Sequence, residues 1–364
     1  MKKIISIIMC VAIISALWGC TENKYPPVES TEEEARVVMT VKIADKEYDV
    51  RYELYRALFL NNKADVDGGD SSVWSGEGAS EYIERINAII TDSLCEIFSV
   101  FYVAEKIGFG PYSDKADYEV EQYIIGAVEG DENQLGHGTY DKYLESLKKQ
   151  NLNYSTADLL IRYALAEEAV AKHYRGSVNE VGQRLGEYEF TKNDVKEYYE
   201  SQGSVRFLQM YIQHGTSTLL EAEEHRRNLQ GFTDEMNMAA YIIRNTMATE
   251  SDLISGGALT GIVMGKNELT SPVYSDFTEQ IFGLSDGEIS EVIKLSGSDA
   301  DGYYIICRLA KSDEHFERCY SVIESSYLDD VIGKEIKSAQ NEAKSNIQMT
   351  EKYFEIIHSE ISMQ

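Results

Sequence analysis

"ISGGALTGIV", residues 254–263, is a glycine-rich stretch whose reading decides what the middle of the chain can be. Gly256, Gly257 and Gly261 invite a phosphate loop, in which backbone N–H groups at a helix start hold the anion. The spacing argues otherwise. GGxxxG matches neither GxxxxGK[ST] nor GxGxxG, and Ile262 to Lys266 read as a short strand and a turn, so the helix that a phosphate requires is missing. What such glycines do offer is a tight turn of the backbone. Their purpose has to be read from the flanks.

Upstream, "FTKNDVKEYYES" (residues 190–201) reads as a capped amphipathic helix leading into "VRFLQMYIQH" (205–214), whose β-branched and aromatic residues predict a strand. Helices over Leu219–Asn228 and Thr233–Arg244 follow. Downstream of the glycines come a short helix, Tyr274–Phe282, a turn at Asp286-Gly287, and strands Ile289–Leu295 and Tyr303–Leu309. The order of these pieces resembles a parvulin-type (PpiC, rotamase) peptidyl-prolyl isomerase. Val205-Arg206 stands where the family has VRASHIL, Gly256 to Gly261 where it has GGDLG, and Phe277 with Ile281 to Leu284 where it has F…AxFxL. Gly287 to Ser290 match GEIS, and Gly302 to Ile306 match GYHII. On this reading GGALTG is the family's glycine loop beside the peptide groove.

Rotation about an Xaa-Pro bond crosses a barrier of roughly 18–20 kcal/mol set by amide resonance, and a catalyst need only bind the twisted amide better than either planar form. The resemblance implies an apolar seat for the proline ring and a polar network of two histidines beside a Cys or Asp. Phe277 and Phe282 match the seat, with Val273 where a methionine is common. At the network positions stand Gln209, Tyr304 and Ala258, which cannot supply imidazole tautomers. His214 lies five residues beyond Gln209 and therefore on the opposite face of the strand. His137, His173, His225, His315 and His358 share no motif, and neither a metal nor a cofactor is implied.

Outside this segment the chain is helical. "VMTVKIADKEYDV" (38–50) alternates as a hairpin turning at Asp45-Lys46. Helices are predicted over Tyr52–Leu60, Ala79–Ile107 with Ile83, Ile86, Ile90, Leu94, Ile97, Phe98 and Phe101 on one face, a segment capped by Ser113, Thr139–Gln150 and Thr156–His173. "DVDGGDSSVWSGE" (65–77) has Asp70 and Gly76 where a calcium loop needs Gly and Glu. A last long helix or pair, Val322–Ile357, has an apolar face with no partner in its own segment and is expected to return to the N-terminal helices.

At the N-terminus, Lys2 and Lys3 precede an apolar run, Ile4–Leu17, too short for a comfortable membrane span, which reads as a signal peptide. Leu17-Trp18-Gly19-Cys20 resembles a lipobox, implying diacylation of Cys20 and a membrane anchor. Residues 21–37 read as a disordered tether. Of the remaining cysteines, Cys95, Cys307 and Cys319, the last two could pair. With 34 basic and 62 acidic residues the 364-residue chain carries −28, which makes nucleic acid and anionic lipid surfaces poor partners.

The expected architecture is α+β: a mostly helical, chaperone-like domain built from the N- and C-terminal segments, with an inserted parvulin-like α/β domain. The boundaries are 1–19 signal peptide, 20–37 lipidated tether, 38–203 helical domain, 204–312 parvulin-like domain and 313–364 returning helix. With the lipobox, this order resembles PrsA-type and SurA-type extracytoplasmic foldases. It implies unfolded or newly secreted polypeptides as partners and leaves a homodimer open. A catalytically inactive holdase that keeps only the fold is the competing expectation. A solute-binding lipoprotein, with two α/β lobes, fits the helical ends less well.

Overall fold

The structure, a computed structural model, describes residues 24–130, 135–176, 187–213, 218–247, 260–269, 274–295 and 302–363. In chain order the main elements are strands β1 (Val37–Ile43) and β2 (Lys46–Arg51), helices α1 (Tyr52–Asp67), α2 (Ala79–Lys106), α3 (Asp114–Glu129), α4 (Tyr140–Lys149), α5 (Tyr154–Arg175) and α6 (Lys192–Glu200), strand β3 (Ser204–Gln213), helices α7 (Leu219–Gln230) and α8 (Glu235–Asn245), strand β4 (Ile262–Gly265), helix α9 (Ser275–Gly283), strands β5 (Ile293–Leu295) and β6 (Gly302–Leu309), helix α10 (Tyr320–Ser345) and strand β7 (Ile347–Met349). They divide into two units, Met1–Lys172 with Ile336–Gln364, and His173–Glu335. The architecture is therefore mostly helical, with a body built from both chain ends and a small α/β unit inserted between them.

In the first unit the chain ends meet through a sheet of order β2-β1-β7. β1 and β2 form an antiparallel hairpin whose register brings Ile43 opposite Lys46, so the turn is Ala44-Asp45, one residue earlier than the sequence suggested. β7 then pairs antiparallel with β1, Met39 opposite Met349. The long helix or pair expected over Val322–Ile357 is a helix that ends at Ser345, because the three residues after Asn346 extend to satisfy the free edge of β1. Helix α2 is long and apolar enough to cross a membrane by composition. Its Ile86, Ile90, Leu94, Phe98 and Phe101 are nevertheless at most 2% exposed within the unit, which makes it the core helix. Burying each such side chain contributes about 1.5–3 kcal/mol.

One expectation changes here. From Lys24 onward the predicted tether is part of the fold: Tyr25 stacks on Tyr140 at 5.2 Å, the Tyr140 hydroxyl donates to the Pro26 carbonyl at 2.7 Å, and Thr31 caps a short helix, Glu32–Ala35. A tyrosine and a capping box give this segment more to bind than its glutamates and prolines suggested. In the acidic loop after α1, the Asp67 carboxylate accepts from the Trp74 indole and the Gly69 amide, each at 2.7 Å, and Asp70 caps the turn Ser71–Trp74. These carboxylates hold the loop itself.

The inserted unit has a four-stranded antiparallel sheet of order β4-β3-β6-β5. Strand alternation gives each face its own core. Leu208, Met210 and Ile212 of β3 join Tyr303, Ile305 and Cys307 of β6 beneath α7 and α8. Val205 and Phe207 join Tyr304 and Ile306 beneath α9. A third cluster ties α6 to Phe316 and α10 through Val195, Tyr198, Tyr199 and Ile323. The inserted unit is therefore wider than 204–312: α6 and the first part of α10 have their buried faces in it, not in the helical body. Strand β5 is shorter than the predicted Ile289–Leu295, with Ile289 making an isolated bridge to Cys307.

Candidate functional site

Of the residues that the sequence nominated, Gln209, Tyr304, Phe277 and Phe282 lie at the β3/β6 face that α9 covers. β3 and β6 pair with Tyr211 opposite Tyr304 and Gln209 opposite Ile306, so Gln209 and Tyr304 share one face as diagonal neighbours. The Tyr211 and Tyr304 rings lie 5.1 Å apart, and Phe277 of α9 meets Tyr304 edge-on at 5.4 Å. Gly302 makes room for this group, since a Cβ there would stand 2.4 Å from Tyr211 Cε2. The result is an aromatic trio, Tyr211, Tyr304 and Phe277, with the half-buried Gln209 beside it.

Tyr304 is 8% and Phe277 6% exposed, while Phe282 is half-buried at the margin of the same cluster. Phe277 is thus core to the unit as well as a wall of the candidate seat. Tyr211 is a participant the sequence reading passed over. Its signal was present: it stands two residues after Gln209 and so necessarily points to the same side. Ala258, Val273, His214 and Cys20 lie outside the described residues.

The described end of the opening stretch has a clear job. Gly261 adopts φ +82°, where an L side chain is strained, and a Cβ on it would approach Leu309 Cδ1 to 2.9 Å and Arg206 Nε to 3.1 Å. The Thr260 carbonyl just before it accepts from Arg206 Nε at 3.0 Å and Nη2 at 2.7 Å. This buried guanidinium also donates to the Ala310 carbonyl at 2.8 Å and pairs with Glu235. At this point the chain turns a carbonyl toward a cation, the reverse polarity of a phosphate loop.

No described histidine belongs to this cluster. His225 meets the Tyr241 hydroxyl at 2.9 Å, His315 the Tyr199 hydroxyl at 3.0 Å, and His358 the Tyr55 hydroxyl at 2.8 Å. Burial pushes His315 down to about 4, leaving a neutral imidazole. Cys307 and Cys319 are free thiols in separate clusters, and burial pushes Cys307 up to about 12. A Gln and two tyrosines can donate and accept hydrogen bonds to an amide, but none shuttles a proton near neutrality. For rotation about an amide, where no bond breaks, shape and hydrogen bonding are the relevant currency.

No protein-family model matches the sequence, and no curated protein matches it. Solved structures are similar in fold at low identity. The foldase protein PrsA from Streptococcus pneumoniae is 18% identical over 68% of this chain and 84% of that one, with a TM-score of 0.30. PrsA from Bacillus subtilis is 18% identical over 86% and 93%, with a TM-score of 0.24. A peptidylprolyl isomerase (PrsA) from Bacillus cereus is 13% identical over 90% and 99%, with a TM-score of 0.23. The likeness is coarse and assigns no residue a role.

Proposed function

We propose that the protein is an extracytoplasmic foldase, anchored through a lipid on Cys20, whose helical body holds unfolded secreted chains and whose inserted unit is a parvulin-like prolyl isomerase. The observation that carries the reading is the face on which Gln209, Tyr211, Tyr304 and Phe277 come together, because it joins a cluster of aromatic rings to amide and phenol hydrogen-bonding groups. The ordered motifs from Val205 to Leu309 support the same reading, as does the construction of one body from both chain ends. Gln209, Tyr304 and Ala258 are the degenerate catalytic positions; Phe277, Phe282 and Val273 are the proline seat.

The second reading is a holdase in which the inserted unit keeps the fold without the activity. It is favoured by the burial of Phe277 and Tyr304 against each other, which commits the seat's aromatics to the core. Exchange spectroscopy on a short Xaa-Pro peptide with catalytic amounts of the full chain separates the two. Cis–trans exchange well above the spontaneous rate, lost in Phe277→Ala, supports the isomerase. Spontaneous exchange with the folded wild type, restored to catalysis or not by the pair Gln209→His and Tyr304→His, assigns the chain to the holdase class. Anchoring is tested by fractionation of Cys20→Ser cells, where the protein should leave the membrane.

A further inference from the structure

In the sheet of the helical body, order β2-β1-β7, the outer strand β2 pairs with β1 alone. Its hairpin turns over Ala44-Asp45 with Ile43 opposite Lys46, a closure in which the Lys46 N–H returns to the Ile43 carbonyl. Bonded and non-bonded pairs alternate from there, so Tyr48 and Val50 bond to β1 while Glu47 and Asp49 turn their N–H and C=O groups outward. The same parity holds across β1: Thr40, opposite Asp49, faces Gln348 of β7, and two residues before it the Val38 carbonyl accepts from the Thr350 N–H at 2.9 Å. Among the described residues, no strand or loop backbone bonds to the outward edge of β2.

A cavity of about 320 Å3 lies beside this strand, lined by Glu47, Tyr48, Asp49 and Arg51. Successive side chains of a strand point to opposite faces, so a cavity that meets three residues in a row lies at the backbone edge and not on either face. Leu54 of α1, Phe98 of α2 and Leu159 of α5 line it too. Phe98 stacks on Tyr48 at 5.0 Å, which marks the buried face of the strand, while Glu47 and Asp49 are exposed on the other. No proline interrupts β2. An outward row of N–H and C=O groups beside an open space is a template for one more strand.

We propose that the edge of β2 takes up an extended segment of another polypeptide as an added strand, with apolar and basic residues in alternation. The backbone groups of Glu47 and Asp49 set the conformation, because a second strand matches the spacing of two alternate residues. Side chains of the added strand fall by turns on the two faces of the sheet. Those level with Tyr48 meet Leu54, Phe98 and Leu159 and favour apolar residues. Those on the exposed face stand beside Glu47 and Asp49. Across from Asp49 on β1 is the neutral Thr40, so a base on the added strand supplies the opposite charge. A second copy of this chain fits poorly. With Glu47 and Asp49 both engaged, every antiparallel two-fold register of β2 on itself sets a carboxylate of Asp45, Glu47 or Asp49 against another. The proposal rests on the client-holding reading and gives it a binding mode and a sequence pattern.

The test is calorimetric titration of the full chain with an acetylated peptide of alternating valine and lysine, with hydrogen exchange at the Glu47 and Asp49 amides read on the same complex. Three further peptides share its length: one with every lysine N-methylated, one with every valine N-methylated, and one with glutamate for lysine. The expected result is slowed exchange at both amides and a loss of about tenfold or more in affinity for one N-methylated peptide and not the other. Loss with the lysines methylated marks an antiparallel strand, and with the valines a parallel one. The glutamate peptide should bind about tenfold more weakly. Asp49→Pro removes an outward N–H and spares the ladder to β1, so it should abolish binding with the fold kept, whereas Asp49→Asn should weaken it about two- to fivefold. Equal affinity for the two N-methylated peptides overturns the proposal, as does unchanged exchange at Glu47 and Asp49 on saturation. So does slow exchange at both amides in the free protein together with a dimer in sedimentation, which makes the edge a self-interface. Suppression of client aggregation is scored separately. If it survives while peptide binding is absent, the edge proposal falls and the holding function stands; if both are absent, the client-holding reading falls with it.

Discussion

Glu268 should make the inserted unit less stable as the medium turns alkaline. It follows β4 in a loop pressed so closely on α10 that a Cβ on Gly333 would stand 1.7 Å from the Asn267 carbonyl. Its carboxyl takes a hydrogen bond from the Ser326 hydroxyl, which itself lies 2.7 Å from the Tyr198 hydroxyl, and the carboxylates of Asp329 and Asp330 are close. Burial, reinforced by those neighbours, pushes it from 4.5 up to about 8. A carboxyl raised in the folded state contributes stability that is fully present below its unfolded value and is lost as pH rises through the folded one. Between these limits the folded state keeps a proton that the unfolded state has released, so stability falls by about 1.4 kcal/mol per pH unit. His315, held down to about 4, opposes this only below its ordinary 6.5, and Lys311, lowered to about 8, acts only above that value. The interval from pH 6.5 to 8 therefore belongs to Glu268. The full effect there is about 2 kcal/mol; water reaching the half-buried side chain reduces it to roughly 1–2 kcal/mol, or a fall of about 0.5–1 M in the urea midpoint. The midpoint is read by pulse-labelling Cys307, which is buried in this unit, after equilibration at each pH. In Glu268→Gln the fall should vanish, the difference between the two proteins cancelling every other titrating group. A wild-type midpoint that holds steady or rises over this interval, or a glutamine variant with the same slope, refutes the reasoning.

Gly302→Ala should destabilise the inserted unit by about 1–3 kcal/mol through collision with the Tyr211 ring, and Tyr211→Ala on top of it should recover part of the loss in the same urea assay. Arg206→Met should cost about 2–4 kcal/mol, because it strips the Thr260 and Ala310 carbonyls of their donor and leaves Glu235 without its partner. In the helical body the sign of the pH response is opposite. Burial lowers His358, so its contribution is intact above about pH 6.5 and lost as pH falls through the folded value. Trp74 fluorescence, reporting on the body through the contact of Phe59 with both Trp74 and His358, should show a urea midpoint that drops on acidification, and His358→Asn should flatten that drop.

Legibility in the sequence followed how local each cause was. The stripe from Ile86 to Phe101, the Ser113 cap and the turn at Gly287 are set by neighbours within a few residues, and each appears in the structure where the residues put it. β7 was invisible because Ile347 to Met349 extend only to meet an edge that lies at the other end of the chain. The placement of Gln209, Tyr304 and Phe277 on one face followed from strand parity and the motif order. What parity could not reveal was register. That Tyr211, not Gln209, stands directly opposite Tyr304 depends on how β3 and β6 slide along each other.

The pairing of Met39 with Met349 sets a timetable. A ribosome or translocon delivers the chain from its N-terminus, so the hairpin of β1 and β2 emerges before its partner and waits, one backbone edge open, until residues 347–349 have followed. The strands of the inserted unit all lie between residues 204 and 309 and can close on one another first. Closing the larger loop carries the greater entropy cost and comes last. A chain released before residue 347 would keep its β1 edge unpaired, able to join strands of other molecules. Completion of the helical body is thus a built-in check that synthesis has run far enough.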